Sequence, residues 1–160
     1  VLFELTYKNM QEIERPIYTE EEMQFAKELQ ATLDPKMVEA EKTKYLGDGE
    51  NDIVIYEGLV DKNDIGKVSV SGSSDSGDVS WIMPMNLFLT AAFPLGVPNH
   101  SWQATSAAGS SLGTKGMMYA AGIFTGMIYD ILNDTSIVEE AKQEFNERTK
   151  NRKYVSPLQD

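Results

Sequence analysis

The chain has 160 residues, no cysteine, 41% hydrophobic residues and a formal charge of −11. That length suits one domain with its own core, and the lack of cysteine excludes disulfide frameworks and thiolate metal sites. The acidic balance argues against a general affinity for nucleic acid or anionic lipid, because phosphate binding rests on Lys and Arg. Neither nucleic acid nor membrane is therefore expected as a partner. The start of the chain shows no basic stretch followed by an apolar one, so no signal peptide is read and a cytoplasmic location is expected. Val1 opens what already reads as a helix, and the expectation is a piece of a longer polypeptide.

Leu2, Leu5, Thr6, Asn9 and Ile13 recur at helical spacing and predict a short amphipathic helix ended by Arg15-Pro16. Thr19-Glu20-Glu21-Glu22 has the form of a capping box, with the Thr19 hydroxyl and the Glu22 carboxylate exchanging hydrogen bonds with each other's backbone. Met23, Ala26, Leu29, Gln30 and Leu33 then mark one face of a helix that stops before Pro35. Both helices, within residues 1–33, read as scaffold. Residues 34–66 read as irregular: a loop or short helix, with Ile53–Tyr56 the place for one short strand. Asp48, Glu50, Asp52, Asp61 and Asp64 lack the spacing of a calcium loop and read as a solvated acidic stretch.

Val68–Val70 alternates with polar neighbours as a strand does, and feeds a Gly/Ser/Asp turn, Ser71–Asp78. Trp81–Met83 and Leu87–Phe93 are further apolar runs punctuated by Pro84, Pro94 and Pro98. Gly109–Leu132 carries the longest helical pattern, with Gly113, Gly116, Gly122 and Gly126 permitting close packing. Its uncharged run, Gly116–Tyr129, is about 14 residues, short of the ~20 that a membrane span needs, and predicts a buried helix. Ser136 and Glu139 suggest a second capping box before a final helix whose apolar side is Ile137, Val138, Ala141 and Phe145. Residues 67–148 thus read as an α/β core segment carrying the site loops, and residues 149–160 as a tail that frays.

Three places could carry chemistry. His100 is the only imidazole, able to titrate near neutrality or ligate a metal, and equally able to rest on a backbone carbonyl. One His and no Cys leave only carboxylates for a zinc site, which needs three or four ligands. The turn Gly72-Ser73-Ser74-Asp75-Ser76-Gly77-Asp78 admits a Ser74, Asp75 and His100 hydrolase, but the nucleophile-elbow pattern is absent and any tight turn has this composition. The helix start at Ser110, with Lys115 one turn on, can attract an anion such as a substrate carboxylate; capping by Ser110 or Ser111 is the ordinary alternative.

Together the stretches GSSDSGDVSWIMP, FPLGVPNHSWQ and SSLGTKGMMYAA resemble the C-terminal region of the metal-dependent amidohydrolases. This is the metallopeptidase family of aminoacylases, carboxypeptidase G and the indole-acetyl-amino-acid hydrolases, and the nearest subgroup is that of the p-aminobenzoyl-glutamate hydrolases. The likeness is strong over Gly72–Asp130 and loose over Leu2–Leu33. It implies an α/β fold, as part of a three-layer α/β/α catalytic domain, with the family's inserted dimerisation or lid domain absent from these residues. It implies two divalent metal ions, zinc or manganese, with His100 at the position of the family's C-terminal histidine ligand. The other ligands and the general-base Glu are expected upstream of Val1. Ser74, Asp75, Asp78, Ser110 and Lys115 are carried as site-lining or substrate-binding.

The implied activity is hydrolysis of an amide in an N-acyl amino acid, an aminobenzoyl-glutamate-like compound or a dipeptide. The implied partners are that small-molecule substrate, the remainder of the catalytic domain and a second copy bound through the lid, with this chain inactive alone. A metal-free serine hydrolase and a non-catalytic interaction module are the alternatives.

Overall fold

The computed structural model describes residues 1–47, 52–63 and 74–156. These form seven helices: α1 (Leu2–Glu12), α2 (Glu20–Gln30), α3 (Pro35–Leu46), α4 (Ser76–Val79), α5 (Trp102–Ala108), α6 (Ser111–Asn133) and α7 (Ser136–Thr149). Val68–Val70, Gly72 and Ser73, and Asp48, Glu50 and Asp64 of the acidic stretch, lie outside the described residues. Two compact units interleave along the chain: Val1–Glu12, Val70–Phe88 and Ile123–Asp160 make the first, Ile13–Ser69 and Leu89–Gly122 the second. Helix α6 supplies residues to both.

The second unit shows why α2 and α3 form. Thr19 Oγ1 accepts from the Glu22 backbone N–H at 3.2 Å, and Glu22 Oε2 accepts from the Thr19 N–H at 2.7 Å, the reciprocal pair expected from the sequence. Residues 34–46, read as a loop or short helix, hold a helix of 12 residues. Asp34 caps α3 by accepting from the Lys36 N–H at 2.9 Å, and Pro35 occupies the first helical position. Pro there loses no bond, since that N–H has no partner inside a helix, and its fixed φ suits the helix. Helix α2 already ends at Gln30, and the Asp-Pro pair read as its stop instead starts α3. The core joins Ala26, Val54, Ile55 and Leu112, with Tyr18, Met23, Phe25 and Ala91 packed on it. Helix α2 also packs on α5, and Gln103 Nε2 donates to Thr32 Oγ1 at 3.1 Å.

The α/β expectation, and with it the three-layer arrangement, is overturned: the described residues are helical and contain no strand. A strand requires a neighbour that offers successive backbone bonds. Among the described residues, Ile53–Tyr56 receives a backbone bond from the Leu95 N–H to the Val54 carbonyl at 2.8 Å, and no ladder of successive bonds. The next N–H on the same side is that of Val97, and it donates to the Pro94 carbonyl at 3.2 Å in a local turn, so no ladder extends. Val54 and Ile55 are buried against helices instead. The run through Thr90 and Ala91 likewise lies on α6. Thr90 Oγ1 donates to the Gly116 carbonyl at 3.1 Å, and a Cβ on Gly116 would meet the Ala91 oxygen at 2.4 Å. Gly116 thus lets an extended segment sit on a helix backbone.

The first unit is built differently. Its buried side chains include Thr6 and Asn9 beside Leu5, Ile123 and Ala141. Asn9 Nδ2 donates to the Leu5 carbonyl at 3.0 Å and to Asp130 Oδ2 at 2.9 Å. Lys8 reaches the same Asp130 oxygen at 3.0 Å. Asn86 Nδ2 donates to Thr6 Oγ1 at 2.8 Å. Helix α1 comes this close because α6 has glycine at 126, where a Cβ would lie 1.9 Å from Asn9 Oδ1.

Two other expectations change here. Helix α6 is not buried: Leu112 and Ile123 are, but Met117, Met118, Phe124, Ile128, Tyr129 and Leu132 are exposed. One face of the helix meets neighbours; on the other, Phe124 packs on Phe88 with ring centroids 4.9 Å apart, and the remaining apolar side chains stay exposed. The Ser136–Glu139 box is absent. Ser136 is already inside α7, and Asp134 Oδ1 accepts from its N–H at 3.0 Å and its hydroxyl at 2.7 Å. Those bonds hold the Asp134 carboxyl below its ordinary pKa.

Candidate functional site

His100 lies in a turn between Pro98 and α5 and is the one non-glycine described residue with positive φ, at 61°. Its neighbour Ser101 pins the turn: Ser101 Oγ donates to the Pro98 carbonyl at 2.7 Å and accepts from the Ala104 N–H at 3.1 Å. Left-handed backbone at a residue with a Cβ costs on the order of 1 kcal/mol, and such residues gather at functional positions. The imidazole is exposed, and it makes no hydrogen bond among the described residues. The backbone-carbonyl alternative therefore has no counterpart there. Both ring nitrogens are without a hydrogen-bond partner among the described residues. Among the described residues no group of three or more His, Asp or Glu could hold a metal ion. The further ligands implied by the resemblance would come from outside them.

Ser110 and Lys115 belong to the same unit as His100. Ser110 serves the start of α6: its hydroxyl donates to the Ala107 carbonyl at 2.7 Å and accepts from the Leu112 N–H at 3.2 Å. Lys115 points back to the start of α2. Its Nζ donates to the Ile17 carbonyl at 2.7 Å, meets Glu22 Oε2 at 2.5 Å, and stands 5.6 Å from the Tyr18 ring centroid. The hydrogen bond from Lys115, then that from Ser111, then that from the Thr19 backbone lower the Glu22 pKa to about 2. The Tyr18 hydroxyl is pushed up, chiefly by burial. Lys115 and Glu22 thus tie α6 to the start of α2, a use the sequence did not reveal. The capping box was visible, but a partner 93 positions away leaves no local trace.

Ser74, Asp75 and Asp78 belong to the first unit, whereas His100 belongs to the second. The Ser74 hydroxyl is 2.8 Å from that of Ser76, accepts from the Ser76 N–H at 3.1 Å, and lies 3.5 Å from Asp75 Oδ1. Asp75 precedes α4 without capping it. Asp78 receives the Tyr154 hydroxyl at 2.6 Å, and Tyr154 stacks on Trp81 with ring centroids 6.1 Å apart. Residue 154 belongs to the tail expected to fray; its ring and hydroxyl are both engaged instead. Tyr154 is a second residue that sequence reasoning missed, because the tail around it is polar and without periodicity.

The chain is similar to one of the subunits of p-aminobenzoyl-glutamate hydrolase from Escherichia coli (strain K12), with 28% identity over 161 aligned positions. The likeness spans nearly the whole chain. It covers 95% of these residues and 34% of the relative, so the chain spans about a third of that protein's length. No protein-family model matches the chain, and no solved structure matches it. No helix among the described residues is long and apolar enough to cross a membrane.

Proposed function

We propose that this chain is one segment of a hydrolase that cleaves the amide bond of an aminobenzoyl-glutamate-like, N-acyl amino acid or dipeptide substrate. The observation that carries this reading is the likeness of 95% of the chain to part of a p-aminobenzoyl-glutamate hydrolase subunit, together with the three site stretches at Gly72–Pro84, Phe93–Gln103 and Ser110–Ala121. The apolar surface left exposed at Ile82, Leu87, Ile128 and Leu132 supports it, because such surface on a longer protein is where further polypeptide packs.

In this reading His100 is one ligand of a pair of divalent metal ions, zinc or manganese. When bound, such a pair supplies Lewis-acid polarisation of the amide carbonyl and activation of water. His100 contributes an imidazole on a backbone fixed by Ser101 and α5. Ser110 and Lys115 keep the start of α6 in place, and Lys115, already paired with Glu22, acts through that placement more than by meeting a substrate carboxylate. Ser74, Asp75 and Asp78 are the site-lining residues of the α4 turn. The general-base carboxylate belongs to another part of the longer protein. The serine-hydrolase alternative draws no support from Ser74, whose hydroxyl partners are Asp75 and Ser76.

The test is metal content by mass spectrometry on the polypeptide that contains this chain, beside a His100→Ala variant whose folding is checked by circular dichroism. The expected result is about two metals per chain in the parent, falling together with hydrolysis of p-aminobenzoyl-glutamate in the variant. Unchanged metal and activity in the variant would remove His100 from the site. A parent that binds no metal and cleaves no amide would make the chain an interaction module.

A further inference from the structure

Helix α4 is four residues long and buries none of them. One helical turn does not hold itself, because its nucleation cost is not repaid by further bonds. The hydrogen bonds of residues 74–83 are otherwise local, including Ser80 N–H to the Ser76 carbonyl at 3.0 Å and Met83 N–H to the Val79 carbonyl at 3.1 Å. Among the described residues, the hydrogen bonds and ring contacts that lead from this segment to the rest of the chain both end on one side chain. That side chain is Tyr154: its hydroxyl on Asp78 at 2.6 Å, and its ring over Trp81 with planes 23° apart. The two contacts are different in kind and three residues apart, so together they fix both the position and the rotation of the turn.

We infer that Tyr154 is a positioning residue: residues 150–156, after α7, act as a strap that holds the α4 turn and presents Asp78 in one arrangement. This rests on the reading of Asp78 as lining the hydrolase site. The Asp78 hydrogen bond also raises the pKa of the Tyr154 hydroxyl, which keeps the donor protonated across the neutral range. The strap works on Asp78 and does not itself touch substrate.

Two variants separate its parts. Tyr154→Phe keeps the ring on Trp81 and removes the hydroxyl; Tyr154→Leu removes both. Hydrogen exchange at the amides of Val79–Met83 is measured in the polypeptide that contains this chain, beside KM and kcat for p-aminobenzoyl-glutamate. Exchange is expected to speed up about tenfold in the Phe variant, the loss of one hydrogen bond to a charged group, and more in the Leu variant. KM is expected to rise in the same order, with metal content unchanged. Unchanged exchange in both variants would overturn the strap, and faster exchange with unchanged kinetics would overturn its positioning role. Faster exchange in the variants of a parent that never hydrolyses the substrate would overturn the hydrolase reading and leave the strap standing.

Discussion

The two units solve the same problem with different materials. The second has a continuous aliphatic core through Ala26, Val54, Ile55 and Leu112, with buried Leu29, Leu95, Val97 and Ala107. In the first, Leu5, Ile123 and Ala141 are joined by buried Thr6 and Asn9, and specificity comes from directed hydrogen bonds. Apolar burial is non-directional and grows with area, whereas a buried amide is worth little net and costs a good deal when its partner is lost. The first unit also carries exposed Ile82, Met83, Leu87, Phe124, Ile128 and Leu132. A thin apolar core and a large uncovered apolar surface in one unit are two views of one fact: its apolar side chains face outward. The second unit has the larger apolar core, and it is the one that carries His100.

The contrast is most exposed to test at Leu112, which is 1% exposed to solvent. Leu112→Ala should destabilise the chain by about 2–5 kcal/mol, read by urea unfolding, with amide exchange in α2 and α5 rising first. The matching change in the first unit is Gly126→Ala, whose Cβ would collide with Asn9 Oδ1 at 1.9 Å. Forcing α1 away from α6 should cost about 1–3 kcal/mol, and an Asn9→Gly second change should recover part of it if the collision is the cause. Removing the Thr19 hydroxyl in Thr19→Ala should cost about 1 kcal/mol, as a thermal shift confined to the second unit's helices.

Acid extends the comparison. The folded-state pKa of Glu22 lies below its ordinary 4.5, at about 2, so the group stabilises the fold fully above 4.5 and loses that effect as pH falls through about 2. A Lys115→Met variant should therefore be less stable than the parent near neutrality, and the gap should close between pH 4.5 and about 2. A gap that stays constant through that window would mean that Lys115 contributes packing alone. The smallest effect is expected at His100. His100→Gly relieves the backbone strain at φ 61°, and stability should be unchanged or rise by at most roughly 1 kcal/mol. A loss of stability there would show that the imidazole packs on something.

What closes within a turn or two of chain could be read from the residues without a structure. The Thr19–Glu22 box, the run of α6, the last helix and the single imidazole were legible because the partners lie within a few positions of one another. Asp34-Pro35 was legible in principle, as a helix start as well as a stop. Whether the apolar runs at Ile53–Tyr56 and Leu87–Phe93 would be strands was settled only by packing, because alternation and β-branching describe a face, and a strand exists only where another backbone offers its ladder. Packing also selected which face of α6 is covered, and that Glu22 meets Lys115, Asn9 meets Asp130, and Asp78 meets Tyr154. Those contacts join positions scores of residues apart, where local preference carries no information about the partner and only the folded chain selects it.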